Sequence, residues 1–586
     1  MSTWSLDALF KRYDDPAYQG ALDTLDETLK EANIWLSKHL EASPLEALKD
    51  GLALSRKLRK ELIKVGAFVN LSLATNTTDE ASLKAMQTVQ GYQASVTPFN
   101  AGFKRFVAGL DNLETLLDDP EVAPYKFFLT SIQDQAKYQL SDGEEALLSK
   151  LTQTGSSAWS RLQGELTSTM EVPYRGEIKN LSDIRNLAHA KDAKTRQEAY
   201  EAEMAAYPSV ERSVASALNA IKGEVLTVTK ARGYESPLAQ AVIQSRMQQE
   251  TLDALIAAMQ DALPSFRAYL KRKAALLGHD KALPWYDLFA PIGASSTTFT
   301  PASAMAYVIK QFKTFSDDLA ALASRAYDEQ WIDFYPKSGK RGGAFCSNLH
   351  PIKQSRILTN FEGSFSNLIT LAHELGHAYH GDKIFNEDIL NASYTMPVAE
   401  TASTLCETIV KKAAIKDAAD DDEKIFLLEQ SIMGSTQVIV DILSRYTFEN
   451  NVFEARKQGP LSAKRLKDLM DDAQAGAYGD AIQADVRHPY MWINKPHYYS
   501  AGLSFYNFPY AFGLLFAKGI YAQYQEKGST FVKDIDHLLQ KTGQMTVEDV
   551  ADLIGINVRE KAFWDASLDV IKDEIAQFMA LTDKLV

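Results

Sequence analysis

Apolar residues recur at three- and four-residue spacing through most of this chain, the pattern of helices that bury one face. The runs 21–40, 44–73, 79–116, 181–207, 211–232 and 249–277 carry it with few prolines or glycines inside. Each predicts a long helix. Strand-like patterning is rare and concentrates at 332–335, 343–346 and 356–361, which predicts a small sheet of short strands. The expected fold class is therefore mostly α. No self-similar period of solenoid length and no low-complexity segment is present. The helical pattern breaks near 172–184, where Val172-Pro173-Tyr174-Arg175-Gly176 intervenes. That break predicts two regions: a helical N-terminal region, 1–180, and a helical region, 181–586, that holds the candidate chemistry.

Length and composition narrow the class. At 586 residues the chain exceeds the roughly 250–300 at which a single core stops growing, so two or more lobes are expected. The hydrophobic fraction of 46% and charged fraction of 24% are those of an ordinary globular protein. The net charge of −14 is dispersed, which argues against a nucleic-acid partner, whose footprint is basic and clustered. Two cysteines, Cys346 and Cys406, are too few for a disulfide framework. The first residues, Met1-Ser2-Thr3-Trp4-Ser5-Leu6-Asp7, have no basic and apolar signal pattern. No run approaches the ~20 apolar residues of a membrane span. Together these predict a cytoplasmic location and no membrane partner. The acidic run Asp420-Asp421-Asp422-Glu423 lacks calcium-loop spacing and reads as a solvated connection opening the next helix.

Candidate chemistry sits in one octapeptide, His373-Glu374-Leu375-Gly376-His377-Ala378-Tyr379-His380. It follows residues 365–372, whose apolar spacing suits a helix, with Ser366 as the expected N-cap. H-E-x-x-H on a helix puts two imidazoles four residues apart on one face, where both can ligate one metal, with the glutamate beside the open coordination position. Gly376 is costly in a helix interior, which suggests close approach by another backbone.

A catalytic zinc needs a third protein ligand. The metzincin spacing would require a histidine ten residues after the first, where Lys383 stands. The inverted H-x-x-E-H order is absent. A glutamate on a second helix remains, and Glu400, 23 residues after His377, lies in Pro397-Val398-Ala399-Glu400 with small neighbours Ala399, Ala402 and Ser403. Glu407, two turns further, is expected to accept a hydrogen bond from a ligand imidazole. His380 lies too far along the helix to share the ion, so a supporting role is expected. One Zn2+ per chain is the expected cofactor.

These residues resemble the thimet oligopeptidase/oligoendopeptidase F family of zinc peptidases, most closely its bacterial oligoendopeptidase F branch. Gly342-Gly343-Ala344-Phe345-Cys346 and Phe505-Tyr506-Asn507-Phe508-Pro509-Tyr510-Ala511-Phe512-Gly513 agree with it, and the likeness runs from about residue 200 to the C-terminus. The resemblance implies an elongated, two-lobed helical fold with a deep central channel and a small sheet beside the zinc helices. It implies an endopeptidase acting on short unstructured oligopeptides, with Glu400 as third ligand. It places substrate- and transition-state-binding groups on His497, Tyr499, Tyr506 and Tyr510.

The mechanism expected has Glu374 as general base and a phenol or imidazolium from Tyr506, Tyr510 or His497 as oxyanion donor. Residues 356–361 read as a strand with an exposed edge that could pair with an extended peptide, making Arg356, Leu358 and Asn360, with Gly343 nearby, candidate substrate contacts. Cys346 reads as a packed thiol. The alternatives are a peptidyl-dipeptidase, which needs a cation to hold a free carboxylate, and a non-catalytic peptide-binding protein, for which Glu374 would have no use.

Overall fold

The computed structural model describes residues 2–294 and 297–586. The chain forms two compact units, each gathered from three segments. The first comprises Met1–Lys137, Thr297–Val410 and Gln523–Gly555; the second comprises Tyr138–Ser296, Lys411–Ala522 and Ile556–Val586. This partition differs from a cut at 180/181, because packing joins segments far apart in sequence and periodicity reads only neighbours.

In the first unit, helices Pro16–Lys38, Pro44–Thr75 and Glu80–Ala108 pack on one another. The second of these starts with a capping box, in which Ser43 and Glu46 satisfy each other's backbone donors ahead of Pro44. The core these helices share takes in Leu349, Ile389 and Leu390, so the N-terminal helices pack against the segments that flank the metal motif.

A three-stranded sheet lies in the same unit: β3 (Ile332–Asp333), β4 (Phe345–Leu349) and β5 (Gln354–Leu358). Its order is β3-β5-β4, with β5 parallel to β3 and antiparallel to β4. The strand expected to offer a free edge is thus the central one, hydrogen-bonded on both sides. Helix Phe365–Ile384 packs on β4 and β5. Its N-cap is Ser364, in a capping box with Asn367, and the expected Ser366 lies inside the first turn.

The second unit is built on long helices, among them Glu211–Ala231, Gln249–Leu276 and Lys561–Thr582. Asp421–Thr436 continues through a π-helical turn, Gln437–Asp441, into Ile442–Arg456. This run, 421–456, is long and apolar enough to cross a membrane by length and composition, which amends the expectation drawn above; 67% of its most apolar window is buried inside the protein. Buried ion pairs link the helices, including Lys273–Glu429 and Lys222–Glu449, each at 2.6 Å. The break at 172–176 is a hairpin: β1 (Val172–Tyr174) pairs with β2 (Glu177–Lys179) across Arg175 and Gly176, both at positive φ, the two-residue turn that matches strand twist.

Candidate metal centre

The helix Phe365–Ile384 is buried on most of its surface, and His373 and His377 are among its partly exposed positions, at 26% and 19%. His373 Nε2 and His377 Nε2 stand 3.1 Å apart. Glu400 Oε2 lies 3.4 Å from each. Glu400 occupies the joint between the short helix Met396–Ala399 and helix Thr401–Asp417, and Ser403 Oγ donates to its Oε2 at 2.8 Å.

The fit to a metal can be judged from that triangle. Tetrahedral ligands at about 2.0–2.1 Å from zinc lie about 3.3–3.4 Å from one another. The three observed separations bracket this value, and among the described residues these three form the candidate metal-binding cluster. Donor chemistry agrees, with two imidazoles and a carboxylate. Charge agrees as well, since Glu400 and Glu407 act on both rings and Glu374 on His373, a concentration of negative charge that a divalent cation would balance.

Both rings are oriented from behind. His373 Nδ1 meets Glu407 Oε1 at 2.6 Å, and His377 is held by the Ala399 backbone. Such outer contacts fix the tautomer that presents Nε2 inward. Burial disfavours the charged form of His373, but the Glu407 hydrogen bond and the three carboxylates outweigh it and raise its pKa. His377 is pushed down to about 4 by burial and by His373. Glu374 is 6% exposed. Burial, with Glu400 and Glu407 adding to it against His373, pushes its carboxyl up to about 7. Its Oε2 is buried without a hydrogen-bond partner among the described residues, a costly state for a carboxylate that a ligand or water would relieve.

Two glycines make the packing possible. A Cβ on Gly376 would lie 2.5 Å from Ser403 Cα and 2.6 Å from the Ala402 carbonyl oxygen, so the glutamate helix is the backbone that approaches there. A Cβ on Gly381 would collide with the Asn348 side chain, which reaches from β4 to donate to the His377 carbonyl at 3.1 Å. Sequence reasoning missed Asn348 and the Ser403 hydrogen bond; the only hint was the small residue at each contact.

The other expected residues divide. His380 is fully buried, stacked on Tyr394 with ring centroids 4.1 Å apart and bonded to Thr542 Oγ1 at 2.8 Å. Burial drives its pKa down to about 3, so it packs as a neutral ring. Arg356 is 1% exposed and its guanidinium is spent on the Ser5 and Ser355 carbonyls and Gln354. Leu358 is fully buried in β5. Neither is free to meet substrate through its side chain, because β5 is the central strand. Asn360 donates to the Arg341 and Gly343 carbonyls, holding the loop that enters β4, and Gly343 is exposed there at φ +78. The free edge beside the histidine helix belongs to β4. Cys346 is a packed thiol whose pKa burial raises.

In the second unit, His497, Tyr506 and Tyr510 do come together. The two phenols share a short hydrogen bond, and the His497 ring lies 5.6 Å from that of Tyr506. Pro509 falls in the first turn of helix Phe508–Lys527, where it is tolerated, and Tyr506 precedes that helix. Phe505, at φ +54, donates its N–H to Glu449 Oε2 at 3.1 Å, so the buried Lys222–Glu449 pair holds the strained residue that aims Tyr506. His497 is pushed down to about 3 by burial and by Arg445, Lys495 and Lys222, and Asn507 Nδ2 lies 2.9 Å from its Nε2. The expected imidazolium is therefore a neutral imidazole. Tyr499 is fully buried and donates to the Trp492 carbonyl at 2.9 Å, a core residue rather than a substrate contact.

Known proteins place the chain in a family. The profile described as Peptidase family M3 matches residues 186–570, and one described as Oligopeptidase F matches 109–171. Group B oligopeptidase PepB of Streptococcus agalactiae is 24% identical over 99% of this chain and 97% of its own length. Oligopeptidase PepF of Bacillus subtilis is 22% identical over 80% of this chain and 71% of its own. Among solved structures, a Chlamydophila abortus chain described as a peptidase superposes with a TM-score of 0.85 at 19% identity, covering 99% of this chain and 98% of that one. Oligoendopeptidase F from Enterococcus faecium superposes at 0.68 and 17% identity, covering 97% and 98%. The family match spans well over half the chain, and on it the chain belongs to peptidase family M3.

Proposed function

We propose that this metallo-oligopeptidase is a zinc endopeptidase of short, unstructured peptides, with one ion held by His373, His377 and Glu400. The observation that carries the reading is the triangle of His373, His377 and Glu400 beside a buried glutamate whose Oε2 has no hydrogen-bond partner among the described residues. Zinc held there supplies Lewis acidity, polarising a carbonyl and easing the deprotonation of water.

Glu374 takes a proton from the attacking water at Oε2 and returns it to the amide nitrogen that leaves. A carboxyl with a pKa near neutrality is suited to both halves of that transfer. Glu407 holds the His373 ring so that its Nε2 points inward, and Ser403 does the same for the Glu400 carboxylate. The β4 edge offers backbone pairing to an extended peptide, which binds many sequences with little demand on side chains. Tyr506 and Tyr510 between them hold one hydroxyl proton beyond the bond they share, the chemistry of an oxyanion donor.

The test is mass-spectrometric mapping of cuts in a peptide library of graded length, with and without chelator. Internal cuts confined to short peptides and abolished by chelation are expected. Release of C-terminal dipeptides alone, lost when the C-terminus is amidated, would replace the endopeptidase with an exopeptidase. Cleavage that survives complete metal removal would overturn the metal site itself.

A further inference from the structure

The second unit contains a cavity of about 100 Å³ whose lining includes Arg185, Arg196, Glu203, Asp441, Arg445 and Lys495. Three of its cations have carboxylate partners. Arg196 pairs with Asp287 at 2.7 Å, Arg445 with Asp441 at 2.5 Å, and Arg185 with Glu203 at 3.5 Å. Lys495 has none within ion-pair distance among the described residues. With Lys495 protonated, the cavity carries one more positive charge than its carboxylates balance, in surroundings where an unpaired charge is expensive. That cost is visible at Lys495, where burial first, and then Arg445 against Asp441, push the ammonium down to about 7.

Hydrogen bonding is incomplete in the same place. Arg445 Nε, a donor, is buried without a hydrogen-bond partner among the described residues, as are the acceptor Asn494 Oδ1 and the ring atom His488 Nδ1, while Tyr478 and Asp441 lie against each other. Asp441 and Asn494 are at least nine-tenths buried. The π-helical turn Gln437–Asp441 brings Gln437 and Asp441 to the cavity wall, and such interruptions of a long helix cluster at functional sites. A cation entering would face three guanidinium groups and the Lys495 amine. A neutral molecule would leave the excess charge unmatched.

We propose that this cavity binds a small monovalent anion, with Lys495 Nζ and the Arg445 guanidinium as its cationic contacts and water bridging to Asp441 and Asn494. Because Lys495 leads directly into Pro496–Tyr499, an anion there would also fix the start of the segment that carries His497.

Two measurements on the full-length protein test this. Crystals soaked in sodium bromide should show an anomalous peak in the cavity beside Lys495. Thermal unfolding in tens of millimolar sodium chloride or sodium acetate should exceed that in sodium gluconate at equal ionic strength by about 2 °C, and Lys495→Met should lose the difference. Comparing the chloride and acetate arms tells a halide site from a carboxylate site. A bromide-free cavity, or an equal salt effect in parent and Lys495→Met, overturns the proposal. If Lys495→Met does not fold, the bromide map of the unsubstituted protein decides alone.

Discussion

His373 and His497 are both largely buried imidazoles, and the protein treats them in opposite ways. Around His373 three glutamates converge, and the Glu407 hydrogen bond with their charges raises its pKa against the cost of burial. Around His497 the charges are Arg445, Lys495 and Lys222, which add to burial and take it down to about 3. The first unit has built a negative pocket that would suit a divalent cation; the second has built a positive one that keeps its histidine neutral. Burial alone would have lowered both. The sign of the surrounding charge decides which ring favours the proton, and it also decides which pocket suits a metal and which an anion.

The largest effect expected from breaking this contrast is at Glu374. Glu374→Gln removes the proton acceptor and leaves the ligands in place, so kcat should fall by about 10²–10⁴ while zinc content, read by elemental analysis, stays at one per chain. Substantial turnover in the variant would remove Glu374 from its role. Glu400→Ala should instead lose the metal, and full retention would shift the third ligand to another carboxylate. Next in size is Glu407→Gln, which keeps shape but withdraws the charge behind His373. Zinc affinity measured by chelator competition should drop about 10–100-fold. An unchanged affinity would mean that the His373 orientation is set by packing.

Gly376→Ala probes the same pocket through its backbone. Helix propensity alone favours alanine by about 1 kcal/mol, yet the new Cβ would press on Ser403 and the Ala402 carbonyl. Overpacking of this kind typically costs about 1–3 kcal/mol, so the variant should melt below the parent and bind zinc more weakly. A higher melting temperature with zinc affinity intact would show that the two helices separate without cost.

The clustering of His373, His377 and Glu400 was legible because helices convert spacing into direction. The four-residue step from His373 to His377, and the seven-residue step from Glu400 to Glu407, are statements about one face. The glycine at 376 carried its meaning too, although only the structure says that Ser403 is what approaches. The substrate edge was misread for the opposite reason: nothing within 356–361 says which strands flank it, and β5 proved central. Tyr499 failed likewise. A tyrosine serves a core as well as a site, and what buries it is the Trp492 carbonyl. The neutral state of His497 depends on Arg445 and Lys222, tens to hundreds of residues away in sequence, and no local pattern could show it. The partition into units of three segments each is equally non-local.

The comparison that sets the two pockets directly against each other lies in the pH dependence of metal-free stability. Glu374 has a folded pKa of about 7 against an ordinary 4.5, so the folded state holds its proton more tightly than the unfolded chain. Its contribution is full below pH 4.5 and is lost as pH rises through 7, a change of roughly 3 kcal/mol. His497 works from the other side. With a folded value near 3 against 6.5, it takes up a proton only on unfolding, so its contribution is present above pH 6.5 and lost as pH falls toward 3. In the metal-free protein, Glu374→Gln should therefore raise the melting temperature relative to the parent increasingly from pH 5 to pH 8. His497→Asn should narrow the parent's loss of stability on the acid side, between pH 6 and pH 4. If both substitutions shift the profile on the same side of neutrality, the opposite fields assigned to the two pockets are wrong.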